Sequence, residues 1–125
     1  MSRVTTVVRP AQRVLQSMHP DEPDHPNHVV HKEVVSADDP YTHIIQVPPG
    51  HRVLPHPHDS SEVTVVLSGV LLLDGDPGAP VPAPCGPGTV IVTAANDAYA
   101  FTAAPDEPLV FAVIRPRPST SELRP

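Results

Sequence analysis

Nineteen prolines spread through 125 residues constrain this chain more than any other feature. A proline inside a helix removes a backbone donor and clashes with the preceding turn, so a chain punctuated this often has little room for helices. Six glycines add further breaks. The apolar runs between the breaks are short and rich in valine, isoleucine and threonine, the composition of strands. Aromatic residues are few: Tyr41, Tyr99, Phe101 and Phe111, with no tryptophan. Aliphatic, largely β-branched side chains must therefore build the core. A β-rich fold with many turns suits this composition.

Eight runs read as strands: 3–9, 29–35, 42–47, 62–69, 70–75, 89–94, 99–103 and 109–115. A short helix or turn over 11–18 is a weaker reading. Between the first two strands, HPDEPDHPNH (19–28) is a polar loop that its prolines keep irregular. Asp38-Asp39-Pro40 is a turn signal, and PGAPVPAPCGPG is a proline-rich connection. No internal repeat is evident. Short strands at regular spacing predict an all-β sandwich or barrel.

The length fits one domain. A net charge of −6 and the lack of basic runs argue against nucleic acid and against an anionic membrane as partners. The opening MSRVTTVVRPAQR has no apolar run of signal-peptide length, and no segment is long enough to span a membrane. Cys85 is the only cysteine, which excludes an intrachain disulfide, and a cytoplasmic location is expected. Lying in a proline- and glycine-rich loop with no base spaced near it, Cys85 reads as an incidental thiol.

Chemistry concentrates in GHRVLPHPHDSSEVTVVLSG, residues 50–69. In extended chain alternate side chains share a face, so His56 and His58 point one way and Pro57 the other. Imidazole is the commonest protein ligand for first-row transition metals, and Glu62 opens the next strand with a carboxylate. Two histidines and a carboxylate on one side of an ion leave positions open for substrate. Pro55 and Pro57 restrict the backbone that carries the histidines. The bland alternative is a pair of solvated turn histidines beside a surface glutamate.

The spacing Gly50-x5-His56-x-His58-x3-Glu62-x6-Gly69 resembles the first motif of the cupins. The resemblance covers roughly residues 40–115 and implies a double-stranded β-helix, or jelly-roll, barrel. It also implies that His56, His58 and Glu62 face the barrel interior, where most of the family holds a divalent transition metal such as iron, manganese, nickel or zinc. Residues 1–39 would then pack on the barrel or on a partner, and 116–125 form a tail. A homodimer is expected, with strand 3–9 as a candidate contact, because many small members of the family dimerise.

The family's second motif is only partly present. Counted from Gly88, Ala94 stands at its proline, Asn96 at its glycine, Tyr99 at the histidine that usually completes the ligand set, and Ala103 at its asparagine. Asparagine tolerates the left-handed backbone the glycine slot needs. Three arrangements answer the missing histidine: a three-ligand site of His56, His58 and Glu62; recruitment of Tyr99 as a ligand or as a catalytic acid/base; or a pocket that has lost its metal. Glu62 and Tyr99 are the candidate catalytic residues.

Around them, His43 either faces the cavity with Ile45 and Val47, where it is an alternative to Tyr99 as replacement for the missing histidine, or is exposed, depending on register. His19, His25, His28 and His31 read as a solvated loop, and Arg52 as a surface charge. Phe101, Phe111, Val90, Val92 and Val113 are expected as wall and core, suiting a small apolar or aromatic substrate. The resemblance implies dioxygenase or cyclase/isomerase-type chemistry on a small organic molecule. A ligand-binding cupin without catalysis is the alternative.

Overall fold

The computed structural model describes residues 7, 9, 14–37, 39–54, 57–74, 83–97 and 99–117. Among the described residues ten strands follow in order: β1 (Gln16–Ser17), β2 (His31–Ser36), β3 (Tyr41–Val47), β4 (Arg52–Val53), β5 (Glu62–Ser68), β6 (Leu71–Asp74), β7 (Ala83–Cys85), β8 (Val90–Thr93), β9 (Ala100–Ala103) and β10 (Leu109–Arg115). Every pairing is antiparallel. One sheet runs β1-β2-β3-β10-β5-β8 and the other β4-β9-β6-β7, giving the all-β jelly-roll barrel expected from the sequence. Among the described residues no helix is long and apolar enough to cross a membrane.

Seven of the eight expected strands fall on observed ones, and the first, 3–9, lies almost wholly outside the described residues. Three observed strands were not anticipated. β1 and β4 have two residues each, too short to carry an alternating pattern. β7 contains Pro84, which reads as loop but is tolerated because β7 is the edge of its sheet. Cys85 therefore ends a strand and is buried rather than sitting in a loop.

Alternation along the strands fills the interior in rows. On β10, Leu109, Phe111, Val113 and Arg115 are buried, and they stand opposite Val47, Ile45, His43 and Tyr41 of β3. On its other side β10 sets Phe111 against Val66 and Val113 against Thr64 of β5. Leu71 of β6 and Phe101 and Ala103 of β9 close this interior from the second sheet. One end, around Val47, Val66, Leu71, Leu109 and Phe111, is wholly apolar. The other carries Tyr41, His43, Glu62, Thr64 and Arg115.

Two backbone features hold this arrangement. Gly69, between β5 and β6, has φ +76°, and a Cβ there would lie 2.4 Å from the Pro108 carbonyl oxygen and 2.9 Å from Leu109 Cα. No L-residue side chain fits so close an approach. Asn96 has φ 65°, the left-handed turn foreseen for its motif position.

The loop 19–28 has more order than its prolines suggest. Three turns follow one another, with Glu22 N–H donating to the His19 carbonyl at 3.1 Å, His25 N–H to Glu22 at 2.9 Å and His28 N–H to His25 at 2.9 Å. The sequence beneath them, HPD-EPD-HPN, repeats every three residues, a short repeat that corrects the reading of none, with proline second in each turn, where its fixed φ is favourable.

A buried polar cluster at one end of the barrel

His58 and Asn96 join the two motif segments: Asn96 N–H donates to the His58 carbonyl at 2.6 Å. The His58 side chain is half-buried, and Glu62 follows at the start of β5. His56 and Pro55 lie outside the described residues.

Glu62 makes the strongest contact in the cluster. Arg115 donates from Nε at 3.0 Å and from Nη2 at 2.9 Å, both to Oε2. The side chains are 4% and 13% exposed, so the pair is withdrawn from water. The Arg115 guanidinium also lies 5.8 Å from the centre of the Tyr41 ring, within cation–π reach. Register explains the row: Arg115 stands opposite Tyr41, and Glu62 begins the strand on the far side of β10.

The next row holds His43, Val113 and Thr64. His43 is buried, which resolves the register left open by the sequence: it faces inward with Ile45 and Val47. Its Nδ1 lies 3.2 Å from the Tyr41 hydroxyl, and the rings meet edge to face. Burial lowers the His43 pKa to about 3, with the positive charges of Arg115, Lys32 and His58 acting in the same direction. His43 is thus a neutral imidazole throughout the physiological range.

Tyr99 is half-buried and donates its hydroxyl proton to Thr64 Oγ1 at 3.3 Å. Burial raises its pKa; the Thr64 hydrogen bond opposes this, the Glu62 and Cys85 charges reinforce it, and Arg115 opposes it. Tyr99 keeps its proton at neutral pH. Glu62 acts on Tyr99 and His58 acts on His43, so the motif residues and the two rings share one electrostatic neighbourhood.

Some expectations need correction. Val90 and Val92 are 56% and 74% exposed, so they are not pocket wall. The inward positions of β8 are Ile91 and Thr93, because β8 pairs with β5 in the register Thr64 to Ile91 and Glu62 to Thr93. At the motif end, charged and hydroxylic groups stand beside Val113 and Ile91, which disfavours a purely apolar ligand. Arg52 is a surface charge as expected, paired with Asp74 at 2.8 Å. Arg115, Tyr41 and Thr64 were missed as site residues. For Arg115 the signal was available: alternation along LVFAVIR puts the lone arginine on the buried face.

A family model described as "Cupin domain" matches residues 43–115. The chain belongs to the cupin family. Among solved structures, this cupin is similar to the polyketide cyclase RemF from Streptomyces resistomycificus, with TM-score 0.70 and 18% identity over 94% of this chain and 82% of that one. It is also similar to KdgF from Halomonas sp., with TM-score 0.68 and 17% identity over 90% and 96% of the two chains. A sugar phosphate isomerase of the cupin superfamily from Silicibacter pomeroyi gives TM-score 0.65 and 22% identity over 85% and 70%. No curated protein sequence matches the chain. At these identities the likeness is one of fold.

The donor chemistry fits a divalent transition metal. An imidazole and a carboxylate from one chain segment are borderline and hard ligands of the kind iron, manganese, nickel and zinc accept. Both Arg115 bonds converge on Oε2, and a carboxylate so held presents its second oxygen, Oε1, in a fixed direction. A charged partner behind a ligating carboxylate is a common way of orienting it.

Proposed function

We propose that this cupin is a metal-dependent enzyme acting on a small oxygen-bearing organic molecule by cyclase/isomerase-type chemistry, in which an acidified α-proton passes to solvent and back while the enolate oxygen is stabilised in the barrel. The observation that carries this reading is the buried polar cluster of Tyr41, His43, Glu62, Thr64, Tyr99 and Arg115 at the motif end of an otherwise apolar barrel. Burying an ion pair gives the fold little or nothing that well-packed apolar residues would not. Its retention there points to chemistry. His56, His58 and Glu62 would hold the ion, whose contribution is Lewis acidity towards a substrate oxygen. Arg115 orients Glu62. Tyr99, protonated at neutral pH, would turn its one hydroxyl proton from Thr64 Oγ1 to a developing oxyanion, with Thr64 then donating to the Tyr99 oxygen. The solved cyclase and sugar phosphate isomerase are consistent with this class, although fold does not select a reaction.

A second reading has its own support. Arg115 already balances the Glu62 charge, so the barrel does not require a cation for neutrality. A cupin that binds a small anionic or hydroxylated ligand without turnover would keep such a pair.

Solvent exchange separates these readings. Protein loaded with manganese, nickel, iron or zinc is incubated in D2O with small 1,3-dicarbonyl and α-hydroxy-ketone probes, and loss of the α-proton is followed by NMR. Exchange is expected to fall by about 10²–10³-fold in Tyr99→Phe, the usual cost of removing one oxyanion donor, and to be abolished in His58→Ala. Oxygen consumption by the iron form without exchange would turn the assignment to a dioxygenase. Probe binding without exchange, indifferent to chelator, would establish the ligand-binding reading.

A further inference from the structure

We infer that the loop 19–28 is a second metal site, separate from the barrel, formed by His19, Glu22 and His25. These residues occupy the first position of each triplet in HPD-EPD-HPN, so the chained turns bring them to one side of the loop. The imidazoles of His19 and His25 stack with centroids 3.5 Å apart at 17°. His19 Nδ1 lies 3.8 Å from Glu22 Oε1. One ligand atom from each residue lies within 4.8 Å of the other two.

Donors around a bound zinc, at about 2.0–2.2 Å from the ion, stand roughly 3–3.5 Å apart. Two side-chain movements close that difference: the stacked His19 and His25 rings turn so that their in-plane lone pairs converge, and Glu22, 65% exposed, swings in. The backbone does not have to move. Pro20, Pro23 and Pro26 restrict it, and His28 ties residue 28 back to the start of the loop through Nδ1, 2.8 Å from the His19 carbonyl. A ligand frame restricted before binding loses less conformational entropy when an ion arrives.

Ring chemistry selects the ion. His25 Nδ1 accepts the Asn27 backbone N–H at 3.0 Å, so an ion must displace that bond or shift the ring's proton. Zinc and copper bind imidazole strongly enough to do so. Magnesium and calcium, which take oxygen ligands, do not. The bound ion would staple the loop, which is already attached to the segment before β4 by the contact between Asn27 Oδ1 and His51 Nε2 at 3.1 Å.

The test is a Zn2+ titration of full-length protein made without a metal-affinity tag, read by calorimetry and by the ¹⁵N shifts of the histidine rings. The wild-type chain is compared with His19→Ala/His25→Ala and with His58→Ala. The loop site predicts that the double variant loses about one equivalent of zinc, as expected for a single mononuclear site, whereas His58→Ala retains it. The His19 and His25 ring nitrogens of the wild-type chain shift on Zn2+ addition, and Mg2+ leaves them unmoved. Unshifted His19 and His25 rings, or a double variant that binds zinc like wild type, would overturn the proposal. Loss of zinc in His58→Ala alone would likewise overturn the loop site while leaving the barrel reading intact.

Discussion

At the scale of single residues, the Glu62–Arg115 pair decides how the motif end of the barrel behaves. Removing one partner of a buried ion pair strands the other charge away from water, at a cost of about 3–5 kcal/mol. Arg115→Met is therefore expected to lose about that much stability in urea denaturation, and Arg115→Met/Glu62→Leu to recover much of it. Equal losses in the single and double variants would mean that Arg115 contributes packing rather than charge. His43 makes a separate prediction. Its pKa of about 3 in the fold lies below the ordinary histidine value of 6.5, so between these limits the unfolded chain binds a proton that the folded chain does not. That part of the stability is present above pH 6.5 and is lost as pH falls toward 3. In metal-free protein, His43→Gln should flatten the decline in unfolding free energy over this range, and parallel wild-type and variant curves would contradict it. How much of the cluster the sequence disclosed depended on each residue's surroundings. The spacing from Gly50 to Gly69 brought out His58 and Glu62. His43 stayed ambiguous because Ile44 beside it is buried as well, so either register satisfied the apolar pattern.

At the scale of elements, two turns fix the register on which the cluster depends. Gly69→Ala meets both a left-handed backbone and the Pro108 carbonyl, and is expected to cost about 2–4 kcal/mol. Asn96 has the same handedness, so Asn96→Gly should be close to neutral and Asn96→Ala should cost about 1–2 kcal/mol. Thermal unfolding ranks the three, and Asn96→Ala equal to Asn96→Gly would mean that the turn tolerates an L side chain. The long strands were legible because β-branched residues alternate within them and glycine or proline ends them. The short strands escaped because pairing there is imposed by neighbours: β4 is held by β9, and β7 by β6 in spite of Pro84. Val90 and Val92 misled for a related reason. They match the apolar pattern of β8, but β8 is the edge of its sheet and their face is open to solvent.

At the scale of the whole molecule, the barrel is divided along its axis. One end is apolar and supplies the cohesion of the fold. The other gives up that cohesion to hold an ion pair, a neutral imidazole and two protonated phenols beside the motif segment. Family membership followed from the spacing, and the similar solved structures share the barrel across nearly the whole chain. What the barrel end does rests on whether His58 and Glu62 hold a metal. The most direct test is elemental analysis of tag-free protein carrying His19→Ala/His25→Ala, which removes the two histidines of the proposed loop site, after equilibration with iron, manganese, nickel and zinc. About one equivalent of one ion, lost when His58→Ala is added, is the predicted result for a single mononuclear centre. Metal content unchanged by His58→Ala, or no uptake of any of these ions, would contradict the metal-centre account and leave the barrel as a pocket for small ligands.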